Sequence, residues 1–282
     1  ATARAWTTRD NSRVNSNTNQ THSVLGVFLI PTSLIYNQYM AVLETKHIIK
    51  KFDGIKAVND LSIVFQKGRV TGVIGPNGSG KTTLVNILTG MLPADSGAVV
   101  VAGVTLEQIK PFDVPAYGMT RTFQAVRLFE QMTVLDNILV VLTERGILNA
   151  LFERHGKFHL NKARELLKLV HLEDKENEPA ANLSYGQRKL LEVIRAVAMG
   201  VDVYFFDEPF AGLFPEMRKV VTDIITKLRE EEKTIILIEH DMPLIRELSD
   251  HVFVLDEGKL LAEGSPKEVL KDKKVIEAYL GT

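Results

Sequence analysis

The chain has 282 residues, 45% hydrophobic and 24% charged, enough to bury a full core as one large α/β domain or as two lobes. A formal net charge of −1 leaves no electrostatic case for nucleic acid as the main partner. The lack of cysteine excludes disulfides, thiolate zinc sites and cysteine nucleophiles, and fits a reducing compartment.

Residues 1–39 differ from the rest. The opening ATARAWTTRDNSRVNSNTNQTHS is rich in Thr, Asn and Ser, carries Asp10 as its one acid and has no apolar periodicity, so it is expected to be disordered. The run VLGVFLIPTSLIY is broken by Pro31, Thr32 and Ser33 and is too short for a spanning helix of about 20 residues. Arg4, Arg9 and Arg13 ahead of it suit a signal or transit peptide. The preferred reading is an incidental leader, because Met40 is followed directly by AVLETKHIIKKF, a regular strand pattern. From Met40 to Thr282 there is no internal repeat and no low-complexity tract.

RVTGVIGPNGSGKTTLVNILTG, residues 69–90, predicts strand, tight loop and helix. Val70, Val73 and Ile74 form a short buried strand; Leu84, Val85, Ile87 and Leu88 form the apolar face of a helix that Gly90 ends. Between them, Gly75, Gly80, Lys81 and Thr82 complete the pattern G-x-x-x-x-G-K-[ST]. Glycines at 75, 78 and 80 let backbone N–H groups of the stretch Gly75, Pro76, Asn77, Gly78, Ser79, Gly80 curl around a phosphate at a positive helix terminus. Lys81 reaches β- and γ-phosphates, and the Thr82 hydroxyl, next to Thr83, suits Mg²⁺. Gln124, in RTFQAVRLFEQMTVLDNI, carries no signal of its own.

In NLSYGQRKLLE, Ser184 and Gln187 have capping-box spacing at the start of a helix that runs to about Met199. Gly186, a costly residue in a first turn by about 1 kcal/mol, strips side chains from the positive helix end and implies an anion there. LEDKENEP, just ahead, predicts a solvated loop. VDVYFFDEP places four non-alternating residues, Val203 to Phe206, in a central parallel strand that ends in Asp207 and Glu208. Both acids are expected to point towards a nucleotide beyond the strand's carboxyl end, in different roles because neighbouring side chains diverge.

PEMRKVVTDIITKLREEE, with Val220, Val221, Ile224, Ile225 and Leu228 on one face, is a core helix and no membrane anchor. KTIILIEHDMP gives a buried strand over Thr234 to Ile238, then His240 in a corner before a helix capped by Asp241 with Pro243 in its first turn. VFVLDEGKLLAEG reads as a hairpin turning at Glu257 and Gly258.

Taken in order, these segments resemble the nucleotide-binding subunit of an ATP-binding cassette (ABC) transporter: aromatic loop at Phe52, Walker A at 75–82, Q-loop at Gln124, signature LSYGQ at 183–187, Walker B ending in Asp207 and Glu208, switch His240. The resemblance covers residues 41–282. It implies an α/β fold, a P-loop NTPase (RecA-like) core with a mainly parallel sheet, an antiparallel β region and an inserted helical subdomain. The implied division is 40–124 for the first part of the core, 125–199 for the helical subdomain with the signature and 200–282 for the second part. Phe52, with Val58 nearby, is expected to pack on adenine; Thr82, Gln124 and Asp207 to hold Mg²⁺; Glu208 to act as general base; His240 and Lys81 to meet the γ-phosphate. Ser184, Gly186 and Gln187 would face ATP held by a second cassette, identical or paralogous, with a heterodimer preferred.

RTFQAVRLFEQMTVLDNI, EPFAGLFPEM and the ending VIEAYLGT are most similar to ATPase subunits of branched-chain amino-acid importers. Urea or amide importers and the ATPase of lipopolysaccharide export are close alternatives; a non-transport ABC ATPase and a P-loop kinase are rivals of other classes. The family implies transmembrane permease subunits as partners, a periplasmic or extracellular solute-binding protein indirectly, and a peripheral place on the cytoplasmic face of the inner membrane. Two departures stand out: Tyr185 where glycine is commonest, and Phe214 where many cassettes carry an aspartate that couples the two sites.

Overall fold

The computed structural model describes residues 41–142 and 156–280. The leader, with the disorder and targeting expectations attached to it, lies outside the described residues. Eleven strands among those described form two sheets. One runs β2 (Ile55–Leu61), β1 (Ala41–Phe52), β5 (Ser96–Val101), β6 (Val104–Leu106), with β3 (Val64–Gln66) also paired to β1, all antiparallel. The other runs β11 (Lys259–Gly264), β10 (His251–Asp256), β4 (Val70–Ile74), β9 (Thr234–Ile238), β8 (Val203–Asp207), β7 (Met119–Arg121); all its pairs are parallel except β10 with β11.

The absence of alternation in the central strands has a direct structural cause. Along β8, Val203 and Phe205 enter one core while Tyr204 and Phe206 enter another, and β9 divides likewise into Ile236 and Ile238 against Ile235 and Leu237. Apolar side chains are therefore required on both faces. The first core encloses α1 (Lys81–Leu88) between the two sheets, against Leu43, Phe65 and Phe253. The second lies under α4 (Tyr185–Ala198) and α5 (Pro215–Glu230) and extends into α2 (Val134–Leu142) and α3 (Gly156–Leu169), which pack with α4 as the helical subdomain. On α5, Val221, Ile224, Ile225 and Leu228 are buried and Val220 packs at the margin.

Strand β1 is less regular than its sequence suggests. His47 has φ 51°, and the pairing slips beside it on both neighbours, so the strand bulges. LEDKENEP is likewise more than a solvated loop: Glu173–Lys175 form a 3-10 turn, and Glu176 accepts a forked pair of bonds from Arg164 at 2.8 and 2.9 Å. The hairpin turns where expected, with Glu257 at φ 45° and Gly258 at φ 76° between Asp256 and Lys259. Helices α6 (Met242–Leu248), α7 (Pro266–Val269) and α8 (Lys273–Leu280) complete the described chain. No described helix is long and apolar enough to cross a membrane.

Candidate active site

Between β4 and α1 the chain curls through Gly75, Gly78 and Gly80 at φ 150°, 82° and 101°. A Cβ on Gly75 would lie 2.1 Å from the carbonyl oxygen of Leu255, and one on Gly80 2.3 Å from that of Ala57. These two glycines serve close backbone approach. Gly78 is different: nothing lies within 4 Å of where its Cβ would stand, because it faces an open cleft. The hairpin supports the loop from behind, the Gly258 N–H donating to the Ser79 carbonyl at 3.1 Å.

The cleft has a volume of about 310 Å³. Asn77, Gly78, Gly80, Lys81, Thr82 and Thr83 supply its loop side; Phe52, Ala57, Gln124, Glu208 and His240 supply the rest. Lys81 donates from Nζ to the carbonyls of Gly75 (2.8 Å) and Pro76 (2.9 Å) and to Ser79 Oγ (3.4 Å), so its ammonium is held inside the curl. Burial holds its pKa below the ordinary lysine value, opposed by the charges of Glu208 and Asp207. An ammonium in a ring of glycine-freed N–H groups suits polyphosphate.

Two expectations change here. Val58 is fully buried in the core between the sheets, and Ala57 lines the cleft in its place. Phe52 does reach the cleft, 45% exposed, with the Lys50 ammonium 5.7 Å from its ring centre. Asp207 does not line the cleft: it is 2% exposed, and its Oδ2 accepts from Arg121 at 3.0 Å. Burial raises its pKa, opposed by the Arg121 charge. Glu208 alone reaches the cleft, because its φ of 48° turns the chain out of the extended geometry in which neighbours simply alternate. Gly186 lies beside α5, where a Cβ would fall 2.5 Å from Met217 Sδ, the flexible end of a side chain.

The carboxylate of Glu208 is held from two sides. His240 Nε2 lies 2.8 Å from Oε1, and Gln124 donates from Nε2 to Oε2 at 3.4 Å. Below them Glu239, buried at the end of β9, accepts from the N–H groups of Phe210 (3.2 Å) and His240 (3.2 Å), fixing both loops. Pro76, Asn77, Gln124, Glu208 and His240 share an outer mouth with Tyr279 of α8, whose phenol burial pushes up to about 12.

Ser184 has the expected capping box: its Oγ accepts from the Gln187 N–H at 3.3 Å, and Gln187 Oε1 accepts from the Ser184 N–H at 3.0 Å. Neither residue, nor Gly186, lines the cleft of its own chain. Ser184 is exposed, Tyr185 packs against Gly212, whose Cβ would meet its ring at 2.8 Å, and Phe214 stands 72% exposed at the start of α5.

Arg121, Glu239 and Tyr279 carry no recognisable spacing in the sequence. Arg121 binds Asn86 Oδ1 (2.7 Å) and Thr89 Oγ1 (2.9 Å) as well as Asp207, tying α1 to the end of β8.

Residues 58–211 match the ABC transporter family model. The chain belongs to the ABC transporter family. Residues 259–282 match a second model, that of branched-chain amino acid ATP-binding cassette transporters. Among curated relatives, the probable branched-chain amino acid transport ATP-binding protein LivG of Archaeoglobus fulgidus is 38% identical over 250 residues, 86% of this chain and 96% of that one. The high-affinity LivG of Escherichia coli K12 is 35% identical over 249 residues, 85% of this chain and 98% of that one. A crystal structure of an ABC transporter's ATP-binding cassette in its ADP conformation aligns with TM-score 0.74 and 36% identity, covering 86% of this chain and all of that one. This ABC protein is thus a transport ATPase cassette of the branched-chain amino-acid type, and the urea, lipopolysaccharide-export, kinase and non-transport readings are not favoured.

Proposed function

We propose that this cassette hydrolyses ATP in the cleft around Lys81, Gln124, Glu208 and His240, in partnership with a second cassette, and so drives branched-chain amino-acid import through separate membrane subunits. The observation that carries this reading is a division of the motifs. Glu208, His240 and Gln124 share one cleft with the phosphate loop, whereas Ser184 and its helix end lie outside it, exposed.

Lys81 and the loop N–H groups bind the phosphates, and Phe52 packs on the base. Glu208, its carboxylate oriented by His240 and Gln124, takes the proton of the attacking water. Ser184 and the first-turn N–H groups of the other chain's α4 close on the γ-phosphate, and hydrolysis releases that contact. Thr82 and Gln124, which line the cleft, would hold Mg²⁺, whereas Asp207, first expected to share it, is buried against Arg121. An all-oxygen set of few protein ligands fits this ion, and no cluster of three or more His, Asp or Glu side chains that could hold a metal occurs among the described residues. When bound, Mg²⁺ supplies positive charge to the β- and γ-phosphates.

Beside the Q-loop, exposed Phe129 and Val140 with Val141, Arg195 and Met199 line a second groove, suited to a permease segment with an apolar face. Such docking would place the cassette peripherally at the cytoplasmic face of the membrane, with any solute-binding protein contacted only through the permease.

Copurification identifies the permease partners and hence the solute class. Paired cysteines introduced at Ser184 and in the loop near Lys81 test the two-chain site: with ATP and Mg²⁺ the crosslink is expected between chains, and crosslinks formed solely within one chain would refute it.

A further inference from the structure

Helix α4 carries Lys189, Glu192 and Arg195 at intervals of three, and all three reach the main chain of residues 123–127. Lys189 is 0% exposed and donates from Nζ to the carbonyls of Phe123 (3.0 Å) and Gln124 (3.4 Å). Glu192 is 1% exposed, and its Oε1 accepts from the N–H groups of Phe123 (3.3 Å) and Arg127 (3.1 Å). Arg195 donates to the Arg127 carbonyl. The guanidiniums of Arg121 and Arg127 both lie over the Phe123 ring, 4.6 and 4.0 Å from its centre.

As a device for stability the arrangement is poor. Lys189 Nζ and Glu192 Oε2 are 3.7 Å apart, beyond hydrogen-bond range, and Oε2 has no hydrogen-bond partner. Burial pushes the Glu192 carboxyl up, with the Lys189 charge opposing. A buried pair of this kind is often replaceable by apolar side chains without loss of stability. Its contacts are nevertheless specific: four hydrogen bonds, all to main-chain atoms of the segment that presents Gln124 to Glu208.

We infer that Lys189, Glu192 and Arg195 are positioning residues for ATP hydrolysis, clamping the main chain of residues 123–127 to the helix that begins at Ser184. Movement of α4 then carries Gln124 with it, so seating Ser184 on a nucleotide sets the distance from Gln124 to Glu208. The α4 charges act on the backbone, which leaves the Gln124 side chain free to face the cleft. The inference rests on the roles proposed above for Gln124 and Glu208.

The test is a double-mutant cycle on the full-length chain with ATP and Mg²⁺. Glu192→Met, which removes the acceptor shared by both N–H groups, is expected to lower kcat about tenfold with KM for ATP held within about twofold, a misplacement without lost binding. In a Gln124→Ala background the same substitution is expected to change kcat by less than about twofold, since both act through one side chain. Fully multiplicative effects would overturn the inference, as would a rise in KM with kcat unchanged. Should Glu192→Met not fold, Arg195→Gln, which removes a half-buried contact, decides by the same criterion with an expected fall of about threefold. If instead Glu208→Gln leaves turnover intact, the proposed chemistry fails, an outcome distinguishable from additivity within the cycle.

Discussion

His240 Nε2 lies 2.8 Å from Glu208 Oε1, joining the ends of β9 and β8 above the phosphate loop. Glu208 holds this position at φ 48°, a left-handed conformation that costs a non-glycine residue about 1–2 kcal/mol. Strain of this sort is retained where it aims a side chain. Glu208→Gln is therefore expected to bind ATP with near-normal affinity and to turn it over at least about 100-fold more slowly, as for loss of a general base. Single-turnover assays alongside nucleotide binding measure both quantities.

Gly78 and Gly80 separate folding from binding. Gly78→Ala puts its methyl into the open cleft, so the variant is expected to fold at a cost of about 1–2 kcal/mol and lose ATP affinity. Gly80→Ala drives a Cβ to 2.3 Å from the Ala57 carbonyl, backbone against backbone, and is expected to destabilise the fold itself. Urea unfolding paired with nucleotide titration distinguishes the two.

Arg121→Ala leaves the 2% exposed Asp207 without its cation. An unpaired buried charge costs about 3–5 kcal/mol, and the loss is expected chiefly in the unfolding midpoint. Arg121→Lys recovers only part of it, because one ammonium cannot reproduce the planar fork that meets Asn86, Thr89 and Asp207 together. Adding Asp207→Asn to Arg121→Ala restores part of the stability, and denaturant melts of the set measure the coupling.

Asp95 fastens β1 beside its bulge, accepting from Lys50 Nζ at 2.7 Å and from the Lys51 N–H at 2.7 Å. The Lys50 hydrogen bond, then that of Lys51, holds its pKa below the ordinary aspartate value. A depressed folded-state pKa gives stability that is complete above the unfolded pKa and is lost as pH falls through the folded one. Asp95→Asn should accordingly flatten the acid limb of the stability profile below about pH 4, the ordinary aspartate range, without altering its shape near neutrality. Urea midpoints across pH 2.5–7 provide the comparison.

Local rules were enough for the elements and for the phosphate loop. β4, β8 and β9 were legible as apolar runs; the cap at Ser184 and the turn at Glu257 and Gly258 depend on residues a few positions apart, so sequence order carries them. The branched-chain type was legible too, in phrases such as EPFAGLFPEM. What remained hidden involves residues distant along the chain. Asp207 could be placed at a strand end, but its burial depends on Arg121, which is 86 positions earlier. Val58 and Ala57 are neighbours that only the packing of α1 between two sheets assigns to core and cleft. The strand-end rule pointed both Asp207 and Glu208 at a nucleotide, but the chain turns at the positive φ of Glu208 and only that residue reaches the cleft. Periodicity and capping are short-range and are written in the order of residues. Burial, ion pairing and the meeting of Gln124, Glu208 and His240 arise from long-range contacts, which exist once the sheets have closed around their helices.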